Sequence, residues 1–493
     1  MSQENSSTKQ PLIRYVNRRQ LSWRAVDVER LIDEDHRARA IWTLVGRLDL
    51  SRFYESIESS AEEGGRPAID PQLLISLWVY AYSEGIGSAR EVARRCEFNP
   101  AFQWLTGLEE VNYHTLADFR VDKQHELDEL FTQVLAALSK EGLITLEQVM
   151  QDGTKIKALA SPRSYQKEAT IREHLERARQ RVEEMGDPRN EETSPKARQA
   201  RARAHRERQQ RLEKALEELE KLQAQKPTKS ARPTSVSDPE ARMMRHFDGG
   251  LALSYNAQIS TDAAHGLIVG VEVTQAANDS AQLLPAVERI EQRLKQKPQQ
   301  MVADGSYSTR EAIERMATRE IDFLGSMGRE QTANGGLTPR RLPPGAFVYQ
   351  PETNRYVCPE GKLLRSDGRQ REQPGLLYYR YRAKFTDCQN CLRKSECCPE
   401  NQSQGRTVLR MVESAAVLAF RQKMASGPAQ AQYRRRSRVA EFCHAWIKNK
   451  LGLRQFHVRG LVKARTEMLW ACLTYNVQQW IRLRKLQPDP ATS

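Results

Sequence analysis

The sequence predicts an α/β core that follows a helical region and is interrupted by two insertions. Three observations predict this. Apolar and polar residues alternate along 251–259 and 267–273, and helix-period and strand-period stretches then take turns as far as Met327. Ile171, Leu175, Ala178, Val182 and Met185 repeat at 4-3-4-3 spacing, a heptad seam inside a charged stretch. Tyr433–Leu486 is strongly basic yet carries Trp446, Phe456, Trp470, Tyr475 and Trp480, so it reads as folded helices and not as a tail. At 493 residues the chain is long enough for two or three domains, and 39% hydrophobic residues suffice for real cores. No run approaches the ~18 apolar residues of a membrane-spanning helix, and the first ten residues lack the apolar stretch of a secretory signal. A membrane role is therefore not expected, and a cytoplasmic setting is. Lys+Arg 77 against Asp+Glu 63 gives +14, which favours a polyanionic partner. Most of the excess lies in Tyr433–Leu486, with 13 Lys+Arg and two acids. Eight cysteines without a visible signal point to a reducing compartment, and to thiols or metal.

In chain order, Asp70 caps and Pro71 opens a helix carrying Leu73, Leu74, Leu77, Trp78 and Ala81. Gly85–Ser88 breaks it, and Ser88 is expected to cap a helix from Ala89 to about Cys96. Short helices with tight turns are the material of helix-turn-helix units, so 1–130 is read as a helical DNA-binding domain. Leu146, Val149 and Met150 lead a strand expected to end at Asp152-Gly153. The heptad arm ends at Gly186-Asp187-Pro188. A second arm starts at Ser194-Pro195 and carries Leu212, Leu216, Leu219 and Leu222, and a linker follows over 226–237. Strands at 253–259 and 267–273 come next. Asp279 is read as the cap of a helix with Leu283, Leu284, Val287, Ile290 and Leu294. Met301–Ala303 is a short strand ending at Asp304-Gly305. Ser308 and Glu311 read as a capping box, and Ile321–Met327 is another strand. Three strands, then helix–strand–helix–strand and closing helices from about Ala429, is the order of a ribonuclease-H-like fold. The expected layout is a core built from 145–160 and 237–330, a coiled-coil hairpin and linker at 161–236, a cysteine-rich β insertion at 331–410, and basic helices at 411–486.

In that order the strands ending at Asp152 and Asp304 are sheet neighbours. Asp-Gly is a common turn dipeptide, and either one alone reads as a turn. Two at equivalent strand ends read as a pair of carboxylates. Hydrolysis of a phosphodiester by two hard cations needs such oxygen ligands plus a third from nearby. Glu441 stands out as one of only two acids within Tyr433–Leu486. Lys448 lies seven residues beyond it, on the same face of a continuous helix. An ion-pair partner is the plainer reading of Glu441.

Tyr433-x2-Arg436-x4-Glu441-x6-Lys448 resembles the Tyr-Arg-Glu-Lys signature of DDE transposases from bacterial insertion sequences, nearest the group numbered eleven-eighty-two. The resemblance covers most of the chain. Residues 65–71, 88–96 and 115–120 resemble that group's helical domain. Asp152-Gly153-Thr154-Lys155 resembles the first-Asp motif, and Ala303–Tyr307 the second. Residues 237–243, 254–258 and 278–280 resemble the segments between, and 456–460 with Glu467, Tyr475 and Asn476 the C-terminal helices. The run Val111–His114 departs from the Pro-Asp-His-like sequence of the group. The resemblance implies that Asp152, Asp304 and Glu441 hold two Mg²⁺ or Mn²⁺ ions. It implies that Tyr433, Arg436 and Lys448 contact phosphates near the scissile bond, with Arg459 also on DNA. The commonest form has three residues between Arg and Glu where this sequence has four, which leaves Arg435 and Arg438 as alternatives for the role of Arg436. The implied activity is metal-dependent cleavage at the terminal inverted repeats of an element and transfer of the 3′-OH ends into target DNA. The implied assembly on double-stranded DNA is a homodimer or higher, at the bacterial nucleoid. A catalytically silent, transposase-derived DNA-binding protein is the alternative, and a general nuclease of this fold is a third reading.

Cys358, then Cys388-x2-Cys391, then Cys397 or Cys398 fit a four-thiolate zinc site, with Cys397 favoured as the fourth ligand. Cys96, Cys443 and Cys472 lie on helical segments and read as core. His114, His246, His265 and His444 show no metal-type spacing and read as surface or packing residues.

Overall fold

The computed structural model describes residues 19, 25–55, 57, 67–184, 195–225, 233–326, 342–373, 376–398 and 404–486. Met185, the breaker Gly186–Pro188, Ser194, residues 65–66, most of the 226–237 linker and Met327 lie outside them. Among the described residues no helix is long and apolar enough to cross a membrane.

Among the described residues, seven α-helices lie within Arg37–Lys140. The central one, Pro71–Ser83, begins as expected, with the Asp70 carboxylate accepting from the Gln72 N–H at 2.9 Å and Pro71 in the first turn. It is buried on nearly all sides, because Leu74, Ile75, Leu77, Trp78 and Tyr82 meet helices from both ends of the chain. The next helix runs Ala89–Phe98, and Ser88 precedes it without a side-chain cap bond. The C-terminal helix Leu461–Leu486 packs on Pro71–Ser83, and a single apolar core runs from Ala38 to Trp480. The helical region therefore shares its interior with the end of the chain. A buried polar node fastens the two. Glu467 (0% exposed) accepts from Tyr82 Oη at 3.3 Å and from the His457 N–H at 2.8 Å, with the Arg120 guanidinium 3.7 Å away.

The central sheet holds six strands: β1 (Gln148–Lys157), β2 (Arg242–Arg245), β3 (Leu251–Asp262), β4 (Ile268–Thr274), β5 (Gln300–Ala303) and β6 (Asp322–Gly325). One edge of β3 pairs antiparallel with β1, the other with β2 and β4. On its far side β1 pairs parallel with β5, and β5 parallel with β6. The strands that deliver Asp152 and Asp304 are thus adjacent. Helices Leu283–Leu294 and Arg310–Thr318 connect β4 to β5 and β5 to β6. Two caps differ from expectation. Gln282, not Asp279, precedes the first helix, and Thr309, not Ser308, caps the second, accepting from the Ala312 N–H at 3.1 Å. Asp279 is drawn away by side chains of the sheet.

The hairpin insertion is Glu168–Glu184 against Pro195–Gln225. Ile171, Leu175 and Ala178 meet Leu212, Ala215 and Leu219 in a small core of their own. The end of the expected linker is not a loop, since Thr234–Ser235 pairs with Tyr165–Gln166 and closes the hairpin's base. The cysteine-bearing insertion is a five-stranded antiparallel meander: β7 (Val348–Gln350), β8 (Arg355–Val357), β9 (Leu363–Gln373), β10 (Leu376–Ala383) and β11 (Thr407–Met411). Then come helices Ala415–Ala425, Gly427–Arg434 and Arg436–Ala445, and a π turn at Trp446–Lys450. The expected continuous helix through Tyr433 is therefore broken twice. Cys96, Cys443 and Cys472 are buried.

Candidate active site

Asp152 does not end its strand. β1 stays paired with β3 as far as Lys157, while its pairing with β5 stops at Gln151 and Ala303. Asp152 is thus the first residue of β1 to outrun its parallel neighbour, and Asp304 is the first residue past the end of β5. Parallel strands stand about 4.8 Å apart, so the two carboxylates occupy adjoining positions on one face of the sheet. Asp304 also serves its turn, for its Oδ1 accepts from the Ser306 N–H at 2.8 Å and from Ser306 Oγ at 2.5 Å.

Gly153 is extended strand, not turn. A Cβ there would lie 2.5 Å from Gln258 Nε2 and 2.6 Å from Asp279 Oδ1. Glycine is required because those side chains fill the space on that face. Asp279 accepts from Asn256 Nδ2 and Gln258 Nε2, each at 2.6 Å, with Lys155 Nζ at 3.5 Å. Gln258 Oε1 in turn accepts from Tyr307 Oη at 2.5 Å and Gln151 Nε2 at 2.9 Å, and Ser260 Oγ donates to Gln151 at 2.6 Å. This buried network was not expected. Alternation along β3 reads as an inner and a solvent face, yet Ser254, Asn256, Gln258 and Ser260 are all buried. The available signal was that these polar positions carry amides and hydroxyls and no charge.

Helix Arg436–Ala445 lies over the other face. Arg436, Ala440, Cys443 and His444 follow the i, i+4, i+7, i+8 pattern, and their stripe faces β1 and β3. Arg436 Nη1 stands 3.3 Å from Asp152 Oδ2, and His444 Nδ1 3.9 Å from the same oxygen. Burial raises the Asp152 carboxyl to about 6, with Asp304 and Asp279 adding repulsion against the pull of Arg436 and the Gly153 N–H. Burial beside Lys448 and Arg436 pushes the His444 imidazole down to about 3. The ring is therefore neutral near pH 7, and its proximity to Asp152 is not an ion pair. Its Nε2 is buried without a partner. His444, read as a surface or packing residue, is buried and packs beside Asp152. Burial, with Lys155 and Arg454, lowers the ammonium pKa of Lys448.

Of the sequence-predicted residues, Asp152, Asp304 and Arg436 come together, with Lys448 half-buried nearby. The Arg436 guanidinium lies 5.9 Å from the centre of the Tyr433 ring, while Arg435 and Arg438 are exposed. Arg459 is exposed and donates to the Leu159 carbonyl at 3.1 Å. Glu441 is exposed on the helix that covers Asp152. It does not share a face with Lys448 in one regular helix, because the π turn intervenes. Among the described residues no three His, Cys, Asp or Glu side chains stand in metal-holding geometry. The hard carboxylate oxygens of Asp152, whose pKa is raised, nevertheless fit a hard cation, which would offset its crowding by Asp304.

In the insertion, Cys358, Cys388, Cys391, Cys397 and Cys398 line one small cavity. The Lys362 and Arg406 N–H groups donate to the sulfurs of Cys358 and Cys388 at 3.3 and 3.4 Å. Burial pushes the Cys388, Cys397 and Cys398 thiols up, and the Arg406 N–H only partly offsets this at Cys388; as a set of soft sulfur donors around one cavity, these cysteines fit zinc. The structure brings both Cys397 and Cys398 to the cavity, and Cys398 is the more buried.

Two family models match the chain. One, described as a transposase DDE domain, matches residues 357–481, and the other, a transposase domain, matches residues 26–122. The first match includes the cysteines and the Tyr433–Lys448 stretch and starts beyond Asp304. No curated protein matches. Among solved structures, the cryo-EM structure of a piggyBac transposase synaptic complex with hairpin DNA aligns at 8% identity and TM-score 0.23, over 94% of this chain and 81% of that one. A likeness at that level carries no argument.

Proposed function

We propose that this chain, which its family matches support as a DDE transposase of the insertion-sequence type, cuts the ends of a mobile DNA element and joins them to target DNA. The observation that carries the proposal is the placement of Asp152 and Asp304 on neighbouring parallel strands, under a helix that presents Arg436. The strand order β4–β3–β1–β5–β6, with β1 parallel to β5 and antiparallel to β3, supports a ribonuclease-H-like core.

In this reading Asp152 and Asp304 would hold Mg²⁺ or Mn²⁺, with Glu441, exposed on the covering helix, as the third ligand. The bound cations would supply an activated water and stabilise the leaving oxygen. The remaining work falls to the chain's own groups. Arg436 balances Asp152 in the free protein and binds a non-bridging phosphate oxygen when DNA is present. Neutral His444 and the apolar stripe of its helix exclude water from behind Asp152. Lys448 and Tyr433 position the backbone around the scissile phosphate. The N-terminal helices bind the terminal repeats. Two ends cut in concert need at least a dimer, acting in the cytoplasm at the nucleoid. The cysteine cavity would hold a structural zinc.

The test uses purified protein and a plasmid carrying the reading frame with its flanking DNA. With Mg²⁺ or Mn²⁺ the wild type nicks at the element ends, while Asp152→Asn still binds the DNA and does not cut. Wild-type protein that binds the flanks and never cuts with either ion refutes the catalytic reading, and indiscriminate digestion refutes end specificity.

A further inference from the structure

The insertion sheet has two unlike faces. Tyr356, Leu364, Tyr381, Ala383 and Val408 pack on one side into the insertion's own core. On the other side the register aligns Gln350, Arg355, Arg365, Arg382 and Thr407 directly opposite one another, one from each strand in turn from β7 to β11. Cross-strand partners share a face and stand about 5 Å apart, so three guanidinium groups form one row with no carboxylate in it. Arg380, two residues from Arg382 along β10, lies on the same face. Among the described residues Arg355, Arg365 and Arg382 take part in no ion pair within 4.0 Å, and Arg382 Nε is buried without a partner. The nearby acid Asp367 is engaged by Arg371. Like charges directly opposite each other destabilise a sheet. Among the described residues no carboxylate forms an ion pair with this row.

We propose that the row Arg355–Arg365–Arg382 is a phosphate-binding surface that lays the insertion sheet against duplex DNA. The proposal rests on the transposase reading and adds a place where the DNA backbone runs outside the carboxylate site. Duplex DNA carries one negative charge per ~1.7 Å of axis, so a row spanning roughly 10 Å meets several phosphates. Guanidinium suits this task better than ammonium, because its fork binds phosphate oxygens in pairs.

The experiment uses the full chain and a fluorescein-labelled duplex of mixed sequence, about 30 base pairs long, read by anisotropy across a salt series. Each lost phosphate contact removes about 0.9 from the slope of log affinity against log salt. The triple variant R355Q/R365Q/R382Q is expected to lower the slope by about 2.7. Between about 50 and 200 mM salt, the wild type then loses about 40-fold more affinity than the variant. The triple Lys variant keeps most of the wild-type slope. Arg365 is exposed, so Arg365→Gln alone serves if the triple variant does not fold, with an expected loss of about 0.9. An unchanged slope in a folded Gln variant, with wild type binding DNA normally, overturns the proposal and leaves the transposase reading intact. An unchanged DNA slope with lost binding of polyglutamate assigns the row to an acidic protein and also overturns it. Wild type that fails to bind any duplex removes both.

Discussion

Replacing Asp152 by Asn in the metal-free protein should stabilise it at neutral pH. The carboxyl is raised from its ordinary 3.8 to about 6, chiefly by burial, after the favourable pull of Arg436 and the Gly153 N–H has been counted. A gap of about two units at 1.36 kcal/mol each is on the order of 3 kcal/mol. The sign follows from which state holds the proton. Below about pH 4 the native and unfolded chains are both protonated at this site. Between about 4 and 6 the native chain alone keeps the proton. Above about 6 it must surrender the proton and hold a buried charge, so the stability present at low pH is lost. Asn keeps the acceptor oxygen for the Gly153 N–H and never ionises. Urea unfolding in EDTA is therefore expected to show Asp152→Asn more stable than wild type by up to about 3 kcal/mol at pH 7.5, with the gap closing towards pH 4. Saturating Mg²⁺ should reverse the order, since an ion at about 1,000 times its Kd adds about 4.1 kcal/mol to the wild type and far less to the variant. A variant no more stable than wild type at pH 7.5, or a gap that does not shrink on acidification, refutes the electrostatic account of the site.

Three further outcomes are expected. Glu467→Ala strands the Arg120 guanidinium and the Tyr82 hydroxyl in the interior, at a cost of about 3–5 kcal/mol by thermal or urea unfolding, and Glu467→Gln costs less. Gly153→Ala drives a methyl into Gln258 and Asp279, and should lower stability by about 1–3 kcal/mol with loss of cleavage, read by melting temperature and a plasmid-nicking assay. Metal analysis of purified protein should find about one zinc per chain, and Cys391→Ser should lower it; well-folded wild type without zinc removes that site.

The carboxylate site shows two ways of managing charge. On the Asp279 side of the sheet, the amides of Asn256 and Gln258 donate to one carboxylate, with the Lys155 ammonium 3.5 Å away, and leave little room beside it. On the Asp152 side, a guanidinium is the one cation among the described residues within 4 Å of the carboxylate, and the nearby imidazole is neutral. The first arrangement is closed, while the second leaves an acid with a raised pKa beside Asp304. That asymmetry makes Asp152, and not Asp279, the group a cation or a phosphate-bound complex would relax.

Much of this was open to a reader of the sequence, because it is local. The 3.6 and 2.0 periods place five of the six central strands and the two helices between them in order, though not Arg242–Arg245, Asp70-Pro71 starts its helix, and the heptad residues Ile171, Leu175 and Ala178 find their partners. The adjacency of Asp152 and Asp304 follows once that order is accepted, since parallel neighbours bring strand positions into register. What tertiary structure alone decided lies in contacts between segments far apart in the chain. Asp279 leaves its capping position because Asn256 and Gln258 of β3 offer it better donors. His444 enters the site because its helix lies across β1. Glu441 is exposed because its helix turns the stripe of Ala440, Cys443 and His444, and not Glu441, towards the sheet. Local pattern sets which face of an element is apolar, but the polar groups that meet inside are chosen by which elements cross, and that depends on packing over the whole chain.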